Sequence, residues 1–243
     1  MEDVYVMLGR EGKGLAGIFT VPYAHMPDED AELFYSTYGS LLAYANERLD
    51  VVDRDRPMVL CDDKDRRLTP WGGRVSETLW AGHRALVDDF VDRNPYGLAN
   101  EQLEVVRPWR WAVRDEFVAM VADADYVLLM NDDRAFAMGA MQDDAYDHVH
   151  AVPSLLLLTL LPFKRGIVCD GKTIFLSDEC PNGAEDQLAD QLQYLASLKV
   201  VSWAWQLEEY SQGLPDGNLI PAEHQRQLDG ALFFGDELYG NRS

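Results

Sequence analysis

The sequence predicts an α+β fold with a helical N-terminal half, a small antiparallel β-meander or barrel-like sheet, and a C-terminal amphipathic helix. Two features of the chain support this class. Apolar residues recur every three or four positions through the first half, and short apolar runs separated by turn residues follow from about residue 115. We therefore divide the chain into a mainly helical region (1–114), a small antiparallel sheet with a packing helix (115–210) and a loosely attached tail (211–243).

The N-terminal region opens with two short β-like runs, residues 4–8 and 18–23, on either side of a glycine-rich link. The first helix is predicted at 30–49, because five apolar residues there share one helical face. These residues are Phe34, Tyr38, Leu41, Ala45 and Leu49. Residues 50–73 lose this periodicity and collect proline, glycine and charge, which predicts a loop.

Two further helices are predicted before the sheet. The second spans about 74–93 and ends at Asn94-Pro95, because the residue before a proline avoids the α conformation. The third has Asn100 as its N-cap, and Pro108 ends or kinks it early. The helical region is therefore expected to contain three helices joined by short connections.

The β region is expected to begin with a hairpin made of Phe117–Val121 and Tyr126–Met130, followed by a third strand at Ala135–Met141. The run Leu155–Leu161 is ambiguous, since leucine favours helix and the run does not alternate. The Lys-Arg-Gly step that follows needs an antiparallel partner, so we interpret the run as a buried strand.

A further hairpin is predicted within Ile167–Leu176. Its signal is the Asp170-Gly171 pair, because both central residues of a type I′ turn need positive φ. Such a turn would pair Cys169 with Lys172. Five short strands linked by turns would then form the meander or barrel-like sheet.

The packing helix is predicted to begin at Asn182, where Glu185 completes a capping-box pattern. Its apolar stripe consists of Leu188, Leu192, Leu195 and Leu198. Trp203, Trp205 and Leu207 are interpreted as a continuation of this face. Tryptophan side chains bury a large apolar area, so we expect core or interdomain packing rather than an exposed recognition surface for Trp109, Trp111, Trp203 and Trp205.

Several features argue against a membrane or secreted protein. A helix needs about 20 apolar residues to span a bilayer, whereas the leucine-dense block is broken by a proline and two basic residues at 162–165. The opening MEDVYVML is acidic where a signal peptide is basic. Cys61, Cys169 and Cys180 have neither the number nor the spacing of a disulfide scaffold or zinc knuckle. We expect a cytoplasmic protein with reduced thiols.

The chain is strongly acidic. Lys plus Arg total 21 and Asp plus Glu total 42, so the formal net charge is 21 − 42 = −21. Such a surface repels phosphate backbones, and direct nucleic-acid binding is therefore not expected. The acidity has two interpretations, a solvation adaptation or an acidic patch that binds a basic partner protein. Composition alone does not separate them.

The segment DDAYDHVH is the candidate metal site. It holds five possible ligands, Asp143, Asp144, Asp147, His148 and His150. On a strand the two histidines would point the same way, and divalent metals such as zinc bind imidazole and carboxylate groups together. The alternative interpretation is a carboxylate-rich loop beside the sheet.

The other motifs predict no catalytic residue and no cofactor. Gly12, Gly14 and Gly17 match GxGxxG, but a strand-like run ending in proline follows them where a dinucleotide site needs a helix. The sequence has no GxSxG nucleophile motif and neither of the kinase motifs HRD and DFG. The glycines are interpreted as a flexible hairpin tip.

Two stretches, LVDDFVDRNPYGLANEQLEVVRPW (Leu86–Trp109) and LLPFKRGIVCDG (Leu160–Gly171), resemble the signature segments of a broad set of uncharacterised bacterial cytoplasmic proteins. The resemblance implies a helical N-terminal part and a β-rich part around an LPFK-type hairpin, and it implies no activity or catalytic residue. This sequence departs from the usual pattern of those proteins at Pro108 and at Arg165-Gly166. The matching positions are Phe90, Asn94, Pro95, Gly97, Leu98, Leu103, Val106, Trp109, Leu161, Pro162, Phe163, Lys164, Asp170 and Gly171.

Three functions follow as hypotheses. The first is a non-enzymatic interaction or regulatory protein, because the chain combines acidity and aromatic residues with no catalytic constellation. The alternative is a metal-dependent hydrolase that uses the Asp/His cluster at 143–150. The third is an acidic nucleic-acid mimic, in which carboxylates imitate phosphates.

Overall fold

The protein was analysed as a computed structural model, which describes residues 13–14, 19–23, 25–62, 66–131, 134–142, 149, 152–177 and 200–213. Within these residues the chain forms five α-helices, a mixed six-stranded sheet and two small two-stranded sheets. The predicted α+β class is confirmed. Among the described residues, no helix is long and apolar enough to cross a membrane.

The elements before the main sheet are mostly helical. They are β1 (Lys13–Gly14), β2 (Phe19–Thr20), α1 (Asp28–Leu49), β3 (Val59–Cys61), β4 (Arg66–Leu68), α2 (Pro70–Gly82), α3 (Leu86–Arg93), α4 (Asn100–Val106) and a 3₁₀ helix (Arg107–Trp111). The main sheet and the last described helix follow. They comprise β5 (Val113–Ala122), β6 (Tyr126–Asn131), β7 (Arg134–Gly139), β8 (Ser154–Phe163), β9 (Gly166–Ser177), β10 (Val200–Val201) and α5 (Ala204–Gln212).

Helix α1 is the longest helix and supplies much of the core. Three acidic residues in its first turn complement the positive end of the helix dipole, and Asp50 ends it in the left-handed conformation with φ of 54°. The predicted apolar face is confirmed, since four of its five residues are completely buried. These four are Phe34, Tyr38, Leu41 and Ala45.

The predicted helix at 74–93 is wrong, because two helices, α2 and α3, separated by a turn occupy this region. Helix α2 also begins earlier than predicted, at Pro70. The Thr69 side chain caps this helix by accepting a hydrogen bond from the Gly72 amide at 3.0 Å. Proline is suited to the first helical position, because a backbone N–H there would have no acceptor within the helix. The loop predicted at 50–73 likewise contains the β3–β4 hairpin.

Two predicted helix ends are confirmed. Helix α3 ends at Asn94, which adopts the left-handed conformation with φ of 41° before Pro95. Helix α4 gives way at Arg107-Pro108 to the 3₁₀ helix, as the proline predicted. The tryptophan prediction holds for Trp109, which is fully buried, and fails for Trp205, which is 52% exposed.

The main sheet has the order β10-β7-β6-β5-β8-β9. Strands β5 to β9 pair antiparallel with their neighbours, whereas β10 joins β7 in parallel. The expectation of a purely antiparallel sheet is therefore wrong at one edge. The predicted hairpin near 117–130, the third strand and the buried leucine strand are all confirmed as β5, β6, β7 and β8.

The predicted Asp170-Gly171 turn is wrong. Strand β9 continues through this pair, and the chain reverses instead at Lys164-Arg165, with Phe163 opposite Gly166 and Lys164 at φ of 51°. Between the pairs Leu158↔Thr173 and Leu160↔Cys169, three residues of β9 face a single residue of β8. The positive φ of Gly171, 90°, therefore serves a bulge within the strand.

The main sheet has two buried faces. One face packs against α1, α2, α3 and the 3₁₀ helix through Leu161, Phe163 and Val168. The other face encloses a second apolar cluster that draws on β5 to β9 and includes Leu207 of α5. The predicted helix beginning at Asn182 lies outside the described residues. Immediately after that region the chain forms β10 and then a separate helix, α5.

Candidate functional site

A surface groove lies between the first turns of α1, the start of α4 and the β8–β9 turn. Its volume is about 490 Å³. We call it the acidic groove and define it by the residues that line it, which are Glu29, Asp30, Glu32, Leu33, Ser36, Ala99, Glu101, Gln102 and Lys164. Four carboxylates and one ammonium give this lining a formal charge of 1 − 4 = −3.

The local sequence explains how the groove forms. Glu29, Glu32, Leu33 and Ser36 recur at intervals of three and four, so they lie on one face of α1. Across the groove, the Gln102 side chain accepts a hydrogen bond from the Ala99 amide at 3.0 Å and fixes the start of α4. The groove walls are therefore held by helical backbone rather than by a long loop.

Asp30 is the buried carboxylate of the acidic groove, and Lys164 pairs with it. Lys164 Nζ contacts Asp30 Oδ1, and the Tyr23 hydroxyl donates a hydrogen bond to Asp30 Oδ2. Burial alone would raise the pKa of Asp30, but the hydrogen bonds from Lys164 and Tyr23 outweigh burial and lower it. Burial, followed by the hydrogen bond to Asp30, raises the pKa of Tyr23. Asp30 is therefore an ionised and fully partnered carboxylate.

The remaining carboxylates of the groove are different. Glu29, Glu32 and Glu101 are exposed. Within the described part of the chain, none of the three forms an ion pair or a side-chain hydrogen bond. Among the described residues, no side chain therefore neutralises these three carboxylates, and their charge is available to a cation that enters the groove.

A second group of polar residues lies between α1, α2 and the sheet. We call it the buried polar cluster and define it as Tyr38, Ser76, Glu77, Trp80, Arg114, Asp170 and Lys172. Its centre is Asp170, which is 2% exposed. Asp170 accepts hydrogen bonds from Ser76 Oγ at 2.5 Å and from the Lys172 amide at 3.1 Å. Tyr38 accepts a hydrogen bond from Trp80 Nε1 at 2.8 Å.

The buried polar cluster also holds an ionic triad. Glu77 contacts the Arg114 guanidinium, and Lys172 Nζ lies 3.3 Å from Glu77 Oε2, within ion-pair range. Burial lowers the pKa of Lys172, and the nearby Glu77 carboxylate opposes this shift. One carboxylate therefore serves two cations, and the triad joins α2 to β5 and β9.

The buried polar cluster contains nucleophilic residue types but offers no access to a substrate. Ser76 and Tyr38 are completely buried. Burial raises the pKa of Asp170, with the hydrogen bond from Ser76 opposing it. Burial, followed by the Asp170 charge, also raises the pKa of the Cys169 thiol, so a thiolate nucleophile is disfavoured. The cluster acts as a structural connection, and the acidic groove is the candidate binding site.

The predicted metal ligands are not tested by these contacts. Asp143, Asp144, Asp147, His148 and His150 all lie outside the described residues, as do Gly12 and Gly17. In the portion of the chain that the structure covers, no group of three or more His, Cys, Asp or Glu residues could hold a metal ion.

Three positions of the two resembling stretches have clear structural roles. Lys164 lies in the acidic groove and Asp170 in the buried polar cluster, so both connect the β8–β9 hairpin to the helices. Asn94 holds the loop after α3, because its side chain accepts from the Leu98 amide at 2.7 Å and donates to the Leu98 carbonyl at 3.0 Å.

The fold and site were compared with protein families, with curated proteins and with solved structures. No match was found in any of the three comparisons.

Proposed function

We propose that this chain is a non-enzymatic interaction or regulatory protein that binds a basic segment of a partner protein in the acidic groove. The observation that carries the proposal is the imbalance of charge in the groove. Three exposed carboxylates, which have no ionic partner within the part of the chain that the structure describes, line a groove of about 490 Å³. A solvation adaptation alone would not require the unpaired charges to face one another across a groove.

The small free energy of a single exposed ion pair indicates what kind of partner would bind in the groove. An exposed ion pair contributes about 0.2 to 1 kcal/mol, so one lysine or arginine would bind weakly. A segment with several basic residues can pair with Glu29, Glu32 and Glu101 together. The net charge of −21 would also speed the approach of a basic partner at low ionic strength.

The proposal includes the location of the protein. A cytoplasmic setting is consistent with the resemblance of the chain to uncharacterised bacterial cytoplasmic proteins. An exposed Cys61, without a disulfide partner among the described residues, is compatible with that setting.

The test is binding of a fluorescent basic peptide, composed of arginine, lysine, glycine and serine, measured by anisotropy. The wild-type protein should bind it, and affinity should fall as salt is added because the contact is ionic. The triple variant Glu29→Gln, Glu32→Gln, Glu101→Gln should bind about tenfold more weakly, the loss of a few exposed ion pairs.

A matched variant separates the groove from the general charge of the protein. Asp55→Asn, Asp92→Asn, Glu209→Gln removes three exposed carboxylates outside the groove lining and therefore gives the same change in net charge. Its affinity for the peptide should stay close to wild type. Equal weakening by both triple variants would show that the peptide responds only to overall charge, and the groove would lose its assigned role.

A further inference from the structure

We propose that Lys164 is an internal occupant of the acidic groove, and that a cationic side chain of the partner displaces it from Asp30 on binding. This inference rests on the proposed function and adds a regulatory element to the same site. Lys164 then lowers the affinity of the groove for basic segments and makes binding selective for strongly basic ones.

The position of Lys164 supports this role. Among the described residues it is the one cation in the groove lining, and it pairs with Asp30, which lies 134 positions earlier in the sequence. Its ammonium pairs with Asp30, so one carboxylate of the groove already holds a cation in the free protein. The contact is made from the two-residue β8–β9 turn, where the lysine backbone is fixed at φ of 51°.

The two ends of this ion pair differ in exposure. The Lys164 side chain is 38% exposed and the Asp30 side chain 10%. Lys164 can therefore move into solvent by side-chain rotation and regain hydration. Asp30 cannot do so, because it is buried and its Oδ2 is held by the Tyr23 hydroxyl. An uncompensated buried carboxylate is unfavourable, so departure of Lys164 requires a replacement cation.

The exchange replaces one cation by another at Asp30, while Glu29, Glu32 and Glu101 gain ionic partners, which none of the other described residues provides. The net gain on binding therefore arises at the three glutamates. Lys164 contributes a penalty, because its own ion pair is lost when the partner's ion pair forms.

Three variants test the displacement with the peptide assay. Lys164→Gln removes the internal occupant and should bind the basic peptide about fivefold more tightly, the size of a partly exposed ion pair. Lys164→Arg keeps the charge but holds the carboxylate with a guanidinium fork, so it should bind about two- to fivefold more weakly than wild type.

The control is Arg165→Gln, which removes a positive charge from the neighbouring residue of the same turn. Arg165 is exposed and is not part of the groove lining. Its substitution should change affinity less than about twofold, since only a long-range and screened charge is lost. Thermal unfolding of all three variants checks that each one folds.

A direct readout comes from the ammonium resonances of lysine in ¹⁵N-labelled protein. The signal lost in Lys164→Gln identifies Lys164, and peptide addition should shift it towards the position of fully hydrated lysines. Equal tightening by Lys164→Gln and Arg165→Gln, or an unshifted Lys164 signal at saturation, overturns the displacement while the groove remains a binding site. Failure of wild-type protein to bind the basic peptide overturns both proposals.

Discussion

The acidic groove and the buried polar cluster both connect the β8–β9 hairpin to the helices, yet they treat charge in opposite ways. In the cluster, the single carboxylate of Glu77 contacts two cations, Arg114 and Lys172. In the groove, the described lining holds four carboxylates and one ammonium, and that ammonium pairs only with Asp30. Burial of an unpaired charge is strongly unfavourable, so a buried charge needs an ionic partner within the chain. An exposed charge is stabilised by water and remains available to a partner from outside.

The two regions also differ in what a mutation should change. Lys164 and Asp170 lie six positions apart on the same hairpin, one in each region. Substitutions in the buried polar cluster are therefore expected to change the free energy of unfolding, whereas substitutions in the acidic groove are expected to change the affinity for the basic peptide.

The largest effect is expected for Glu77→Gln. The substitution keeps the volume of the side chain but leaves Arg114, which is 4% exposed, without its anion. Loss of one member of a buried ionic group costs about 3 to 5 kcal/mol. Urea denaturation of the purified variant measures this loss.

The triple variant Glu77→Leu, Arg114→Met, Lys172→Met is the control for this prediction. It replaces the whole ionic triad by apolar groups and leaves neither cation without its anion, a replacement that is often close to neutral in other proteins. Its stability should therefore lie well above that of Glu77→Gln. If the free energy of unfolding of Glu77→Gln lies within about 1 kcal/mol of the wild-type value, the triad contributes no more than an exposed ion pair does. The contrast between the buried polar cluster and the acidic groove would then be wrong.

An intermediate effect, which depends on pH, is expected for Asp170→Asn. Burial raises the pKa of Asp170 in the folded state, so the folded protein binds more protons than the unfolded chain above the unfolded pKa of about 4. Stability from this group is therefore complete at low pH and is lost as pH rises through the folded pKa. The stability difference between wild type and Asp170→Asn should shrink as pH rises. Urea midpoints across the acidic and neutral range measure it.

At its largest, this difference should be about 1 to 3 kcal/mol, since the asparagine amide cannot accept from both Ser76 and the Lys172 amide. Asp89→Asn is a control of opposite sign. Hydrogen bonds from Tyr44 and Arg93 lower the pKa of the half-buried Asp89, so its stabilising contribution is lost as pH falls. Parallel slopes for the two variants would contradict the assignment of Asp170 as a buried, desolvated acid.

These contacts also show which parts of the fold could be predicted from sequence. Helix α1 and strands β5 to β8 could be predicted, because the spacing or clustering of apolar residues within each segment indicates its secondary structure. The Asp170-Gly171 pair was misassigned for a physical reason. A type I′ turn and a strand bulge both need a residue with positive φ, so the pair alone does not distinguish them.

The candidate site was not predictable in the same way. The acidic groove combines α1, the start of α4 and the β8–β9 turn, so its charge imbalance exists only after the fold has brought Glu29, Glu101 and Lys164 together. The sequence did contain one signal, the acidic run Asp28-Glu29-Asp30 at the start of a helix. That run is equally typical of an ordinary helix N-terminus, and it therefore does not predict a site by itself.

The smallest effect on stability is expected for the groove variant Glu29→Gln, Glu32→Gln, Glu101→Gln. These exposed side chains have no ionic partner to lose within the described residues, so the free energy of unfolding should change by less than about 0.5 kcal/mol. At low salt two small effects oppose one another, because the variant removes repulsion between like charges but also removes Glu29 and Glu101 from the first turns of α1 and α4, where the helix dipole favours negative charge. Added salt should weaken both effects. Thermal unfolding at low and high salt measures both. A clear destabilisation would mean that these carboxylates hold the fold together, in which case their effect on peptide binding could no longer be assigned to direct contact.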